Sequence, residues 1–411
     1  ILTLLAPEVY RGGMYGCRMP IGLAEVNDGF DPDTLRAYYH KWYHPKNQAV
    51  VVVGDIDPDS VEASIRRHFA GLGAGPKSVV SEPVAVADNA EPIAVSGSDP
   101  EQADNMLQLY FKEPELPDAD RGTIAEVRDE YVRGLIVQML VERLDGIENA
   151  PGCPWSNLGI GDQRFLLSGT RDALMLRATA PNADDARRAL TIFNTELLRA
   201  ARHGFTETEL QRAKLTERSR RDSELANAPA ETNTELARRY VRHFTRGGFA
   251  TSTEQMYKMM KGVERTTGLA EVNVHMAALV RPDGRNRVTS VYATETDKDI
   301  LTPATLLADA AAIDVDALEP FVDTFAGRSL METLPQPGRI TAEADGPFGT
   351  RVLTLSNGIK VYLRPNDAKP DEVLVRAVSP GGFSMNYDPA KKGLYKTCND
   401  ILAVSGFGGH S

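Results

Sequence analysis

The chain has 411 residues, 42% of them hydrophobic and 25% charged, which is ordinary for a globular protein of two or three domains. Its 57 aspartates and glutamates outnumber its 46 lysines and arginines, giving a net charge of −11. That balance argues against a nucleic-acid partner, because neutralising phosphates needs a basic surface. The sequence also predicts no membrane span, since no apolar run approaches the roughly 20 residues that cross a bilayer.

Residues 29–73 predict a helix, a buried strand and a second helix. Asp31 and Pro32 suit a helix N-terminus, and Pro45 ends the helix because its ring blocks continuation. Residues 49–53 are one alanine and four valines, a run typical of a strand covered on both faces. The pattern is that of the closing part of an α/β domain. We therefore expect the chain, which begins with Ile rather than Met, to start inside a longer polypeptide.

Residues 74–90 contain two prolines and no sustained period, as a linker does. The next segment, residues 91–296, predicts one complete α+β domain. Thr206 and Glu209 form a capping-box pattern at the start of one of its helices. The predicted strands are residues 105–111, 154–167, 173–180 and 287–292. The predicted helices are residues 124–147, 183–202, one that opens at 206–209, 229–244, 253–263 and 269–279.

The remaining sequence predicts a connector and another incomplete domain. Residues 297–348 are rich in Asp, Pro and Ala and predict a long connector with one or two short helices. From residue 349 to 411 an α/β pattern restarts. It has a hairpin of residues 352–355 and 359–363 around Ser-Asn-Gly, a strand at 373–378 and a helix at 394–404. Incomplete domains expose apolar surface and strand edges, so the sequence also predicts a tendency to self-associate.

Several motifs, in order along nearly the whole chain, resemble the M16 family of zinc metallopeptidases of the pitrilysin and insulinase type, in its bacterial two-half subgroup. The motifs are R-M-P-I-G at 18–22, Y-H-P-K-N at 43–47, V-V-V-V-G-D at 50–55, E-R-L at 142–144, G-F-T-E-T-E-L at 204–210 and L-S-N-G-I-K-V at 355–361. The resemblance implies an α+β fold of repeated domains, each a mainly antiparallel sheet with helices packed on one side. In a two-half protein, four such domains enclose a chamber for peptides.

On that template, residues 1–73 resemble the end of a first domain, 91–296 the whole second domain, 297–348 a linker between halves, and 349–411 the start of a third. The family's zinc centre is an H-x-x-E-H helix with a downstream Glu, and zinc activates the water that attacks the peptide. This sequence contains no H-x-x-E-H. The resemblance therefore supplies no catalytic, cofactor-binding or metal-binding residue here, and zinc is expected only in the intact parent.

Other candidate sites have simpler interpretations. His40 and His44 have helical spacing, but Pro45 adjoins the second and no carboxylate lies between them, so a zinc pair is disfavoured. Residues 71–78 resemble a phosphate loop only superficially. Further side chains are interpreted as structural: three scattered thiols (Cys17, Cys153, Cys398), a solvated mixed-charge helix face (Arg218, Arg220, Arg221) and core filler (Met256, Met259, Met260).

The leading hypothesis is an internal fragment of an M16-like zinc metalloendopeptidase, forming part of the peptide chamber and inactive alone. Its partners would be a peptide or unfolded protein substrate and the remaining domains of the same polypeptide. The family analogy suggests a periplasmic or secreted location. One alternative is a non-catalytic scaffold or peptide-binding subunit of the same fold, and another is an unrelated cytosolic α/β protein.

Overall fold

The computed structural model divides the chain into two compact units, Ile1–Thr324 and Phe325–Ser411. Residues 74–78 of the segment that only superficially resembles a phosphate loop, and most of the 74–90 linker, lie outside the described residues. The predicted domain boundaries stay predictions. The structure describes every residue except 1, 12, 21, 74–83, 115, 229–230, 325–332, 367–372, 383–384, 386–387, 392, 396, 399–400 and 402–411.

A five-stranded sheet organises the first unit. Its strands are β1 (Ile93–Ser98), β2 (Asn105–Lys112), β3 (Ser156–Arg164), β4 (Asp172–Ala180) and β5 (Arg287–Ala293). They lie in the order β1-β5-β2-β4-β3. Only β1 and β5 are parallel; the other pairs are antiparallel, as expected. The strands β2 to β5 were predicted, whereas β1 was not.

Helices pack mainly on one face of this sheet. The long helix α6 (Ile124–Glu148) and the helix α7 (Ala183–His203) bury many apolar side chains against it. Alternate residues of β2 point into this core, because Leu107, Leu109 and Phe111 are all almost fully buried there. The other helices around this core are α8 (Glu207–Asn227), α10 (Thr253–Thr266), α11 (Leu269–Leu279) and α12 (Pro303–Ala311), whereas α9 (Asn233–Arg246) is mostly exposed.

The local signals in this unit behave as predicted. Thr206 accepts from the Glu209 amide, and the Glu209 carboxylate accepts from the Thr206 amide, so the capping box is formed. The three methionines of α10 are partly buried against the core, as expected for filler. The short helix α12 begins at Pro303 behind the Thr302 cap, within the connector that predicted one or two short helices.

Residues 1–73 differ from the sequence prediction. They form α1 (Leu2–Tyr10), α2 (Met14–Cys17), α3 (Ala24–Gly29), α4 (Pro32–Trp42) and α5 (Pro58–Phe69). The predicted helix after Asp31 is confirmed, with Asp31 accepting from the Asp33 amide at 2.9 Å. The buried strand at residues 49–53 is wrong: this stretch is irregular, and Val50 and Val52 are exposed. A valine run becomes a strand only beside a partner strand, and no described strand pairs with it.

The second unit holds a three-stranded antiparallel sheet of β6 (Ile340–Asp345), β7 (Arg351–Leu355) and β8 (Lys360–Leu363). The predicted Ser-Asn-Gly hairpin is confirmed as β7 and β8, with Gly358 at φ 86°. The predicted strand at residues 373–378 is wrong, because those residues are irregular and exposed. Much of the predicted helix at 394–404 lies outside the described residues.

Candidate functional site: a free sheet edge and a basic pocket

The strand β3 is the last strand of the five-stranded sheet and, among the described residues, pairs on one side only, with β4. Gly159 and Gly161 lie opposite Arg177 and Met175 in this ladder. A Cβ built on either glycine would meet no atom within 4 Å. The strand therefore presents a smooth, open backbone on the sheet face opposite the helices, which we call the open face.

The outward-pointing backbone groups of β3 can be assigned from the ladder. The Phe165 amide donates to the Arg171 carbonyl at 2.9 Å, so residue 165 faces β4. Alternate residues of an antiparallel strand bond to the same neighbour, so Gly161 and Gln163 also face β4. The N–H and C=O groups of Ile160 and Asp162 then point away from β4, to the free edge. Such groups are a template for an added strand.

The helix α1 covers one half of the open face. Its Tyr10 hydroxyl donates to the Phe165 carbonyl at 3.0 Å and accepts from the Leu167 amide at 3.1 Å. Burial raises the pKa of Tyr10 to about 12, so the hydroxyl keeps its proton. Within the described residues the other half is uncovered: Arg177 of β4 is exposed and forms no side-chain hydrogen bond or ion pair with any of them.

A cavity of about 570 Å³, which we call the basic pocket, lies at the end of β3, because the last residue of that strand, Arg164, lines it. The rest of its wall comes from the start of α6 and from α8, α9 and α10. Its charged lining comprises three glutamates and six arginines: Glu126, Glu130, Glu224, Arg121, Arg164, Arg220, Arg221, Arg239 and Arg242.

The structure corrects the prediction that Arg218, Arg220 and Arg221 form a solvated helix face. The first two are half exposed and paired with glutamates, as predicted. Arg221 is instead buried, with 6% of its side chain exposed, and its guanidinium lies 4.7 Å from the Tyr131 ring. Sequence reasoning missed it because a run of alternating charges does not show which side chain α10 covers.

A second charged cluster lies behind β3, on the helix side. Arg133 of α6 contacts Glu113 at 3.0 Å, Asp129 at 3.0 Å and Asp162 at 2.8 Å. Burial, and then the charge of Asp162, raise the pKa of Glu113, which favours the neutral form of this carboxyl. The contact with Arg133 holds the Asp162 side chain on the helix side of the sheet, while its backbone N–H and C=O groups point to the free edge.

The described residues do not provide a zinc site. His40 is exposed on α4, whereas His44 is buried, and its ring nitrogens have no hydrogen-bond partner within the described part of the chain. No three His, Cys, Asp or Glu side chains that the structure describes group closely enough to hold a metal ion. The three thiols, Cys17, Cys153 and Cys398, are free. Among the described helices, none is long and apolar enough to cross a membrane.

Comparison with known proteins shows which protein family and which solved structures this chain resembles. A family model described as the peptidase M16 inactive domain matches residues 29–143. The chain is 24% identical over 380 residues to a "Zinc protease PQQL-like" of Arabidopsis thaliana, covering 91% of this chain and 36% of the relative. It is 25% identical over 397 residues to the "Probable zinc protease PqqL" of Escherichia coli K12, covering 95% of this chain and 41% of the relative. Residues 29–143 thus match an M16 peptidase family model, and nearly the whole chain is similar to proteins named as PqqL-type zinc proteases.

The fold of this chain is similar to that of a solved protein. The crystal structure of the periplasmic protease PqqL from Escherichia coli matches with a TM-score of 0.65 at 20% identity, over 90% of this chain and 40% of that one. The chain thus spans about two fifths of the length of the relatives it matches, and both curated relatives are named as zinc proteases. The family resemblance drawn from sequence motifs is confirmed.

Proposed function

We propose that these 411 residues form part of the peptide-enclosing wall of an M16-like zinc metalloendopeptidase. Within that protein, residues 1–73 would close a first domain, 91–296 would form the second, and 349–411 would open a third, with linkers at 74–90 and 297–348. The substrate would be a peptide or an unfolded protein. The E. coli relative described as periplasmic supports a periplasmic or secreted location.

The observation that carries this proposal is the free edge of β3 beside an uncovered sheet face. A peptide in extended form would pair with the outward groups of Ile160 and Asp162, so main-chain hydrogen bonds would supply affinity that does not depend on sequence. The open space above Gly159 and Gly161 leaves room for side chains of the peptide on the open face. A protease that accepts many sequences needs this kind of contact.

The chemistry of cleavage would belong to residues outside this stretch. The H-x-x-E-H motif is absent from the sequence, and the described residues do not fit zinc. Zinc in the intact protein would supply the activated water. This chain would bind and hold the peptide, and alone it would not cleave. Dialysis against micromolar zinc followed by metal analysis and a quenched-fluorescent peptide assay tests this; stoichiometric zinc or protein-dependent cleavage would overturn it.

Hydrogen exchange tests the peptide-binding edge directly. We expect a saturating unstructured 15-residue peptide to slow exchange at the Ile160 and Asp162 amides. The amides of Gly161 and Gln163 serve as internal controls, because they face β4 and are already protected. The measurement is exchange mass spectrometry at single-residue resolution on the whole chain. Protection elsewhere, with residues 160 and 162 unchanged, would refute the assignment of this edge.

A non-catalytic scaffold or peptide-binding subunit is the second candidate, and the description of the matched family model as an inactive domain favours it. The two candidates share the binding edge and differ in the polypeptide that surrounds it. Reading the gene on both sides of this stretch separates them. An H-x-x-E-H motif in the same polypeptide supports the peptidase, and its absence supports the scaffold.

A further inference from the structure

The basic pocket concentrates positive charge in a protein whose net charge is −11. Six arginines and three glutamates line it. One glutamate, Glu126, accepts from the Gly122 amide at 2.6 Å, and another, Glu224, contacts Arg220 at 2.5 Å. Burial raises the pKa of the third, Glu130, which favours its neutral form. Arg164, Arg220 and Arg239 are also paired with carboxylates beside the pocket, Asp172, Glu217 and Glu231, so the unmatched cationic donors belong to Arg221 and Arg242.

Two of the arginines keep N–H groups unused. Arg221 is buried, yet its Nε and Nη2 have no hydrogen-bond partner within the described residues. Its nearest carboxylates, Glu217 at 3.6 Å and Glu264 at 3.7 Å, are too distant for good hydrogen bonds. Arg242 is exposed, and its side chain makes no ion pair or hydrogen bond with a described residue. A buried donor without an acceptor is costly, so an acceptor brought by a ligand would be stabilised here.

The free edge of β3 leads into this pocket. Arg164 is the last residue of the strand and also part of the pocket wall. A peptide paired along β3 advances about 3.3 Å per residue, so one end of it would reach the arginines within a few residues of the edge. Arginine prefers a carboxylate as a bidentate partner, which the two oxygens of an Asp, a Glu or a chain terminus provide.

We propose that the basic pocket binds a carboxylate of the peptide whose backbone pairs with β3. This inference rests on the proposed peptide-binding function and adds a preference for acidic peptides. The carboxylate comes either from an acidic side chain near the paired segment or from the C-terminus of a peptide that runs parallel to β3. Both sources present the same chemistry to Arg221 and Arg242.

Three fluorescein-labelled 12-residue peptides of one sequence test the preference by anisotropy on the whole chain. The first carries two glutamates at each end, the second has glutamines in their place, and the third keeps the glutamates but has an amidated C-terminus. We expect the glutamine peptide to bind about tenfold more weakly if side chains enter the pocket, and the amidated peptide to weaken similarly if the terminus does. Binding that responds to charge should also weaken with added salt.

Arg242→Gln tests whether the basic pocket causes the preference for acidic peptides. This exposed side chain can be replaced without affecting folding. The variant is expected to weaken the glutamate peptide about three- to tenfold and to leave unchanged the peptide that lacks the entering carboxylate, which is the glutamine peptide for side-chain entry and the amidated peptide for entry of the terminus. Arg67→Gln makes the same change on α5, which does not line the pocket, and should alter neither peptide. Equal affinity for all three peptides would overturn the pocket inference while leaving the β3 edge intact. No binding of any peptide would overturn both.

Discussion

The buried pair of Arg143 and Glu209 offers a sharp test of how this fold is held together. Arg143 of α6 donates from Nε to Glu209 at 2.6 Å and from Nη2 at 3.0 Å, and each side chain is only 1% exposed. The guanidinium also donates to the Gly204 carbonyl at 3.1 Å and lies 4.2 Å from the Phe321 ring. The pair thus joins α6 to the start of α8.

Replacing Glu209 with alanine leaves the guanidinium buried without its counter-charge and also removes half of the capping box at Thr206. Breaking a buried pair costs about 3–5 kcal/mol, so we expect the free energy of unfolding to fall by that amount. Glu271→Ala is the matched control. The Arg128–Glu271 pair has similar geometry, at 2.5 and 2.8 Å, but each side chain is 36% exposed, so its loss should cost below about 1 kcal/mol.

Urea denaturation followed by the fluorescence of buried Trp155 measures both effects in the first unit. The double variant Arg143→Met with Glu209→Leu should recover most of the loss, because an apolar pair avoids the desolvation of two charges. The reasoning is refuted if Glu209→Ala costs no more than Glu271→Ala. It is also refuted if the double variant is as unstable as the single one.

Three further outcomes follow from the structure. The pKa of Glu113 is about 8 in the folded chain against a reference of 4.5, so the folded state binds this proton more tightly than the unfolded state. The free energy of unfolding should therefore fall as the pH rises from 4.5 to 8. In urea titrations at several pH values, Glu113→Gln should make that fall smaller. Gly161→Val should raise the free energy of unfolding by about 0.5–1 kcal/mol, because the open face has room and valine favours a strand; a loss of stability would contradict this. Phe193→Ala should cost about 3–5 kcal/mol and shift the emission of Trp155, whose ring lies 4.8 Å away; an unchanged urea midpoint would contradict it.

Much of the central fold was predictable because its signals are local. The capping box at Thr206, the hairpin around Gly358 and the long apolar stripe of residues 124–147 each depend on neighbours within a few positions. The strands β2, β4 and β5 carry enough apolar residues to be recognised alone, whereas β3 was predicted together with the Ser-Gly-Thr turn at 168–170. Ordered motifs along the chain were sufficient to recognise the M16 family at low sequence identity.

The candidate site was not predictable, because it depends on contacts distant in sequence. That β3 ends the sheet is a property of strand order, and the Gly-Ile-Gly pattern at 159–161 signals an open edge only once that order is known. Arg221 was assigned to solvent because the charge pattern of α8 says nothing of what α10 covers. The valines at 50–53 were wrongly predicted to form a strand for the same reason, because strand propensity does not show whether a partner strand is present.

The amino-acid sequence by itself determined most of the helices and strands around the five-stranded sheet, because propensities, caps and turns act over a few residues, and its motifs were enough to show the M16 resemblance. Only the tertiary structure decided which strand edge is free, which arginine is buried and where the basic pocket lies. Those features are set by burial and by pairing between distant segments, and burial is what changes the energy of a charge or of an unpaired backbone group.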